Sequence, residues 1–264
     1  MMTAWTTDVV TADLGRAVRY TLLWGLEGVA LRTVGGAEDR VPFVNEAALR
    51  HRLAEADLPI VTVDPGLFEG PASSKAGWLN GLDALTDTVG FCRRVGCGVV
   101  RVGALASGDS APEVAAEALR RAAAVASPAG VRLGVRNEAG TAVATGAGLA
   151  DLLQAADAEG LGADWRPADA LLAGEDPAEG LRALLAAGVD IACVGVRDGH
   201  AEAGDWIEAT PGEGAVGWAD HLGALAEAGY EGPLVLDALP GPAQTHGLAA
   251  ATALVQIERR ARRR

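Results

Sequence analysis

Four apolar runs, VRLGVRNE (131–138), LGADWRPAD (161–169), IACVGVRD (191–198) and PLVLD (233–237), each end in charge, and GVVRVGA (98–104) precedes them. Short runs of Val, Leu and Ile between helix-like stretches read as buried parallel strands. In barrels and doubly wound sheets, residues at the carboxyl ends of such strands build the active site. Arg136, Glu138, Arg166, Asp169, Arg197, Asp198 and Asp237 are therefore expected to converge on one pocket. Their mixed signs are unusual, because a site for a metal ion would be mostly acidic.

The same alternation extends back to the start of the chain. Strand-like stretches at 5–11, 25–32 and 58–64 alternate with helix-like stretches at 13–23, 45–56 and 78–95. The segment DPGLFEGPASSKAG (64–77) reads as a long loop. Ser110-Ala111-Pro112-Glu113 has the form of a capping box, opening a helix that Pro128 and Gly130 close. Asp176-Pro177-Ala178-Glu179 opens another, at 176–187, in the same way, and further helices are expected at 146–158, 215–228 and 242–259. Eight strands alternating with eight helices predict an α/β fold, a single (β/α)₈ TIM barrel over 1–258 with a basic tail at 259–264. For that tail the plain reading is a helix end whose cations complement the helix dipole.

The bulk numbers agree. At 264 residues the chain has the size of one eight-fold barrel, and its hydrophobic share of 50% suits a large core. The net charge of −13 argues against nucleic acid as a partner, since phosphate binding needs a basic face. Cys92, Cys97 and Cys193 lie in apolar stretches without paired spacing and read as reduced, buried thiols. The opening MMTAWTTDVVTADL lacks the basic head and apolar stretch of a secretory signal, and no run is long enough to cross a membrane. A cytoplasmic protein with no membrane partner is expected. The oligomeric state stays open, a homo-oligomer included.

In order and spacing, the late strands together with Gly212-Glu213-Gly214 and Gly229-Tyr230-Glu231-Gly232-Pro233 resemble the xylose isomerase-like barrels, which include the sugar phosphate isomerases and epimerases. The resemblance covers roughly 5–258 and is most specific over 130–237. It implies a protein of carbohydrate metabolism acting on a small sugar-like molecule. It also implies one divalent cation, held by Glu, Asp, His and Glu from the fifth to eighth strands, with carboxylates moving a proton between adjacent carbons. Position by position the chain departs from that set. Arg136 stands at the fifth-strand ligand, Arg166 at the sixth with Asp169 three residues on, Gly195 at the seventh, and Asp237 at the eighth. Ala30 stands where the second strand often carries Glu.

Three chemistries are compatible with these residues. No cofactor is expected if arginines take over the ion's role, since guanidinium forks grip carboxylate or phosphate and stabilise an enediolate-like anion. Arg136, Arg166 and Arg197 then hold a small, polyhydroxylated, anionic ligand, with Glu138 and Asp237 as acid–base candidates and Asp169 orienting. Alternatively Glu138, which the pleat places on the same side as Arg136, joins Asp169, Asp198, His200 and Asp237 in a displaced site for Mn²⁺ or Mg²⁺. The third possibility is an inactive barrel whose paired charges fill the vacated site while it binds a metabolite or protein partner. The indoles of Trp5, Trp165 and Trp206 sit near strand ends, where a sugar ring stacks, although packing is the commoner role of large aromatics. Ser107-Gly108-Asp109-Ser110 offers backbone amides to an anion.

Overall fold

Strand and helix alternate along the computed structural model, which describes residues 1–36, 39–72, 75–106, 111–202 and 205–263. The first part comprises β1 (Met2–Thr6), α1 (Thr7–Val10), α2 (Leu14–Leu23), β2 (Gly28–Leu31), α3 (Glu46–Glu55) and β3 (Ile60–Val63). Next come α4 (Lys75–Val95), β4 (Val99–Val102), α5 (Pro112–Ala126), β5 (Arg132–Arg136), α6 (Gly146–Ala156) and β6 (Leu161–Trp165). The chain continues through α7 (Pro167–Leu172), α8 (Pro177–Ala186), β7 (Ile191–Val196), and a hairpin of β8 (Asp198–Glu202) and β9 (Asp205–Ala209). It ends with α9 (Trp218–Glu227), β10 (Pro233–Leu236) and α10 (Ala243–Ala261). Eight strands close a barrel in the order β1-β10-β7-β6-β5-β4-β3-β2, the (β/α)₈ architecture expected.

Two compact units divide the chain, residues 1–61 with 195–264 and residues 62–194. In the second unit, parallel pairing aligns Arg101 with Gly134, Gly134 with Gly162, Arg136 with Asp164, and Asp164 with Cys193. Register partners on parallel strands face the same side, and alternate residues along a strand share a face. Arg101, Gly134, Arg136, Gly162, Asp164 and Cys193 therefore lie on one face. The opposite face carries Val100, Leu133, Val135 and Trp165, all fully buried. Helices on that side supply Leu85, Phe91, Leu119, Leu149 and Leu181, also fully buried.

In the first unit, the Trp5 indole donates to Thr21 Oγ1 at 2.8 Å, and Trp24 packs edge-on to Trp5 at 4.5 Å. Gly247 on α10 leaves the space that Trp24 fills. Trp5 is thus helix packing and not a platform for a ligand.

Local chemistry explains where boundaries differ from expectation. The first strand ends at Thr6, because Asp8 in α1 accepts from Arg32 and Thr33 and draws the chain into a helical turn. Asn45 caps α3, and Asp176 caps α8 through the Ala178 amide in place of the Glu179 amide that a capping box uses. The N-cap of α5 is Ala111, without a side-chain hydrogen bond, with Pro112 at the first position. Ser110 and the rest of the 107–110 motif lie outside the described residues. The charges after β6 open a short extra helix, α7, and those after β7 open the hairpin. The basic tail begins inside α10, which runs to Ala261. None of the three cysteines is in a disulfide and all three are buried, and a hydrogen bond donated to Cys97, together with burial, pushes the Cys92 thiol up. No helix among the described residues is long and apolar enough to cross a membrane.

Candidate functional site

Three arginines and two aspartates meet at the carboxyl-end half of β3 to β6. Arg101 grips Asp164 with both edges of the fork, Nε to Oδ2 at 2.9 Å and Nη2 to Oδ1 at 3.1 Å. It reaches across β5 over Gly134, where a side chain would meet Asp164 Cβ at 3.4 Å. The Cys193 thiol donates to Asp164 Oδ1 at 3.1 Å. Arg136 Nη2 donates to Asp64 Oδ2 at 2.8 Å, and Asp64 Oδ1 accepts the Gly66 amide at 3.0 Å. Arg136 Nε and Arg166 Nε approach Asp164 Oδ2 at 3.8 and 3.6 Å. Glu69, on the loop after β3, brings Oε1 to 3.6 Å from Arg136 Nη1.

Exposure rises across this cluster. The side chains of Asp164 and Arg101 are 0% and 2% exposed, Arg136 8%, Arg166 19% and Glu69 48%. Solvent therefore meets the network at Arg166 and Glu69. Burial pushes the Asp164 and Asp64 carboxyls up, but the surrounding arginines outweigh it and hold both below the usual carboxylate range. Burial likewise works against the Arg136 charge, and Asp64 and Asp164 overcome it. The groups are thus fully ionised near neutrality. One feature is left open, for the buried Arg136 Nε has no hydrogen-bond partner.

Of the residues singled out in this half, Arg136 and Arg166 join the cluster and three do not. Glu138 is exposed, because β5 stops at Arg136 and the pleat does not continue. Asn137 locks the turn by donating to the Ala144 and Arg166 carbonyls and accepting the Arg166 amide. Asp169 Oδ1 accepts the Ala139 amide at 3.2 Å and pins that turn, while its buried Oδ2 has no hydrogen-bond partner. Trp165 is fully buried on the helix-facing side, packed beside Gly180 of α8, so its ring is closed to a ligand.

In the other unit, Arg197 is held by the hairpin. It pairs with Glu208 and lies 5.4 Å over the Trp206 ring. Asp198 is a loop anchor, its two oxygens accepting the amides of Gly199, Gly212, Gly214 and Val216. The Gly-Glu-Gly segment wraps that carboxylate, and a Cβ at Gly214 would collide with it. Four amide donors leave neither oxygen open to a cation. His200 is exposed on β8. Asp237, just past β10, accepts Thr6 Oγ1–H at 2.7 Å and is only part-buried.

Asp64, Arg101, Asp164, Glu69 and Thr6 were not among the expected site residues. A signal was present, since a charge inside an apolar strand, as in VVR101V and GAD164W, must be paired when buried.

A closed parallel barrel with charged residues at strand ends defines a TIM-barrel class of protein. The family model described as "Xylose isomerase-like TIM barrel" matches residues 18–253, and the chain belongs to that family. No curated protein matches the chain in sequence. Among solved structures, a D-tagatose 3-epimerase-like protein superposes with a TM-score of 0.81 at 16% identity, covering 100% of this chain and 98% of the other. D-allulose 3-epimerase from Methylomonas sp., solved with D-allulose, gives 0.75 at 15% identity, covering 98% and 97%. A xylose isomerase-like TIM barrel/4-hydroxyphenylpyruvate dioxygenase fusion protein gives 0.78 at 21%, covering 96% of this chain but only 41% of the fusion.

Proposed function

We propose that this chain is a sugar isomerase/epimerase-like protein that binds a small, polyhydroxylated, anionic ligand at the carboxyl ends of the barrel strands, with guanidinium groups in the role of the family's cation. One observation carries this reading. Arg136 is buried, fixed by Asp64 at 2.8 Å, and keeps an unbonded Nε. A hydrogen-bond donor held ready in a dry setting is what an anionic ligand or a developing oxyanion needs.

The family's divalent cation does not fit the residues present. Arg136 and Arg166 have no lone pair and carry positive charge, Gly195 has no side chain, and Asp237 alone offers an oxygen. Asp64 and Asp164 are engaged by arginines. Asp237 is the acid–base group in this reading, its carboxylate oriented by Thr6. It removes a proton from the carbon beside a carbonyl, and returning that proton to the adjacent carbon or the opposite face gives isomerisation or epimerisation. The neutral sugars named for structurally similar barrels support the polyhydroxylated part of this ligand class, and its anionic part rests on the arginines.

A second reading, a barrel that binds a metabolite or a protein partner without turnover, is favoured by the exposure of Glu138. It removes one of two acid–base groups.

The test is metal content by mass spectrometry, with melting in the presence of Mn²⁺, Mg²⁺ or EDTA. Incubation of ketoses, aldoses and sugar acids in D₂O follows. No stoichiometric metal, no EDTA shift, and deuterium entering a sugar are expected. Bound metal with an EDTA-dependent fall in Tm overturns the arginine reading, and binding without deuterium uptake assigns the inactive barrel.

A further inference from the structure

Helix α4 ends in the turn Cys92-Arg93-Arg94-Val95-Gly96-Cys97. Gly96 takes the left-handed conformation at φ 75°, and the Cys97 amide donates back to the Cys92 carbonyl at 2.9 Å. That bond and that glycine are those of a Schellman cap, which brings the side chains at its two ends into contact. The same bond closes α3, α8 and α9, where it joins Leu53 to Leu58, Leu184 to Val189 and Leu225 to Tyr230. Those are the hydrophobic pairs the motif ordinarily carries. At α4 the two positions are thiols, hydrogen-bonded to each other, with Cys97 Sγ also 3.3 Å from the Val99 carbonyl oxygen. Cys92 is 0% exposed and Cys97 3%, so Cys97 is the outer thiol.

We propose that Cys92 and Cys97 are a site of reversible oxidation, a dithiol that hydrogen peroxide converts to a disulfide. The site precedes β4 at its amino end, apart from the charged cluster at the carboxyl-end half of the strands, and does not rest on the anionic-ligand reading. The side-chain contact that the cap imposes is the juxtaposition a disulfide requires. Cys97 is the attacking thiol. The hydrogen bond from Cys92 holds it below the usual thiol range, against its burial, and so favours the thiolate. Its sulfur attacks one peroxide oxygen, the O–O bond breaks, and the departing hydroxide takes the Cys97 proton as water, leaving a sulfenic acid. The Cys92 sulfur then attacks the sulfenic sulfur, the S–O bond breaks, and the departing hydroxide takes the Cys92 proton as a second water. Two thiols thereby lose two electrons and two protons, and one peroxide is reduced to two waters. A resolving thiol already in contact favours the disulfide over further oxidation at Cys97.

The experiment treats the reduced full chain with hydrogen peroxide under native conditions, then unfolds it in N-ethylmaleimide and digests it with trypsin. Arg93 and Arg94 lie between the two cysteines, so trypsin leaves them on separate peptides that only a disulfide joins. The expected product is the joined pair, lighter by two hydrogens than the two free-thiol peptides together and separated again by dithiothreitol. It should form about tenfold or more faster than Cys193, a buried thiol held by Asp164, is lost. Dimedone, which captures sulfenic acids, should label Cys97 in Cys92→Ser, where serine keeps a donor, about tenfold faster than it labels Cys92 in Cys97→Ser. Maleimide on both Cys92 and Cys97 after peroxide, sulfinic acid at Cys97 in place of the cross-link, or loss of all three thiols at one rate overturns the proposal. Faster labelling of Cys92 overturns the assignment of Cys97 as the attacking thiol.

Discussion

Replacing Asp164 by Asn removes one negative charge and almost no volume, so it isolates what the carboxylate does. In the native chain that carboxylate takes two hydrogen bonds from Arg101, at 2.9 and 3.1 Å, and one from the Cys193 thiol at 3.1 Å. Arg136 and Arg166 stand 3.8 and 3.6 Å from Oδ2. Asn keeps one acceptor and turns an amide N–H₂ toward a guanidinium, leaving Arg101 buried without its counter-charge. Breaking a buried pair in this way costs about 3–5 kcal/mol. For a chain of this length that corresponds to a fall in Tm on the order of 10 °C. Thermal melting by circular dichroism measures it. The control is Arg101→Met with Asp164→Leu together, which removes both charges and should cost less than Asp164→Asn alone, because no ion is stranded. A loss below about 1 kcal/mol for Asp164→Asn, or a double variant worse than the single, would refute the claim that these charges are mutually required.

The lowered pKa values of Asp64 and Asp164 predict an acid limb in stability. The unfolded chain binds those protons first as pH falls, so their contribution is complete above the unfolded value near 4 and is lost as pH drops through the lower folded values. Urea midpoints from pH 7 to 2 should fall most steeply below about pH 4, and Asp64→Asn should flatten the slope; an unchanged slope would remove Asp64 from the linkage. Gly103→Ala should displace the loop carrying Glu69, since a Cβ there would lie 2.7 Å from Phe68 C and 2.8 Å from Glu69 Cα. The expected loss is about 1–3 kcal/mol with faster hydrogen exchange at Gly103 and Leu105, whose amides bond the loop carbonyls of Leu67 and Phe68; a neutral substitution would mean that the loop moves without cost.

The barrel was legible because its strands are continuous apolar runs closed by charge, a pattern with few alternative folds. What was not legible is which end of each run faces the interior. Arg136 and Glu138 are two apart, and strand periodicity alone puts them together, but Asn137 ties the turn to the Arg166 backbone and the periodicity ends there. Trp165 and Asp164 are adjacent, so choosing the strand's parity decides between an indole in the site and a carboxylate in the site. The register with Arg136 places Asp164, and not Trp165, on the site face. Asp198 was read as a site residue because it follows an apolar strand. The Gly-Glu-Gly segment supplies two of the four amides that use it up, Gly199 and Val216 the other two, and no spacing rule reveals them.

Two of the arginines around Asp164, Arg101 and Arg136, are not equivalent, and the difference bears on function. Arg101 is completed within the fold, with both fork edges on one carboxylate behind a face that solvent scarcely reaches. Such a pair satisfies itself, and hydrophobic residues of similar volume would serve stability about as well. Arg136 is not completed. It holds one hydrogen bond to Asp64, an unbonded buried Nε, and a loose contact to a half-exposed glutamate. An unbonded buried donor lowers stability. A closed pair beneath an open one is the arrangement expected if Arg101 and Asp164 fix the frame and Arg136 meets what enters it.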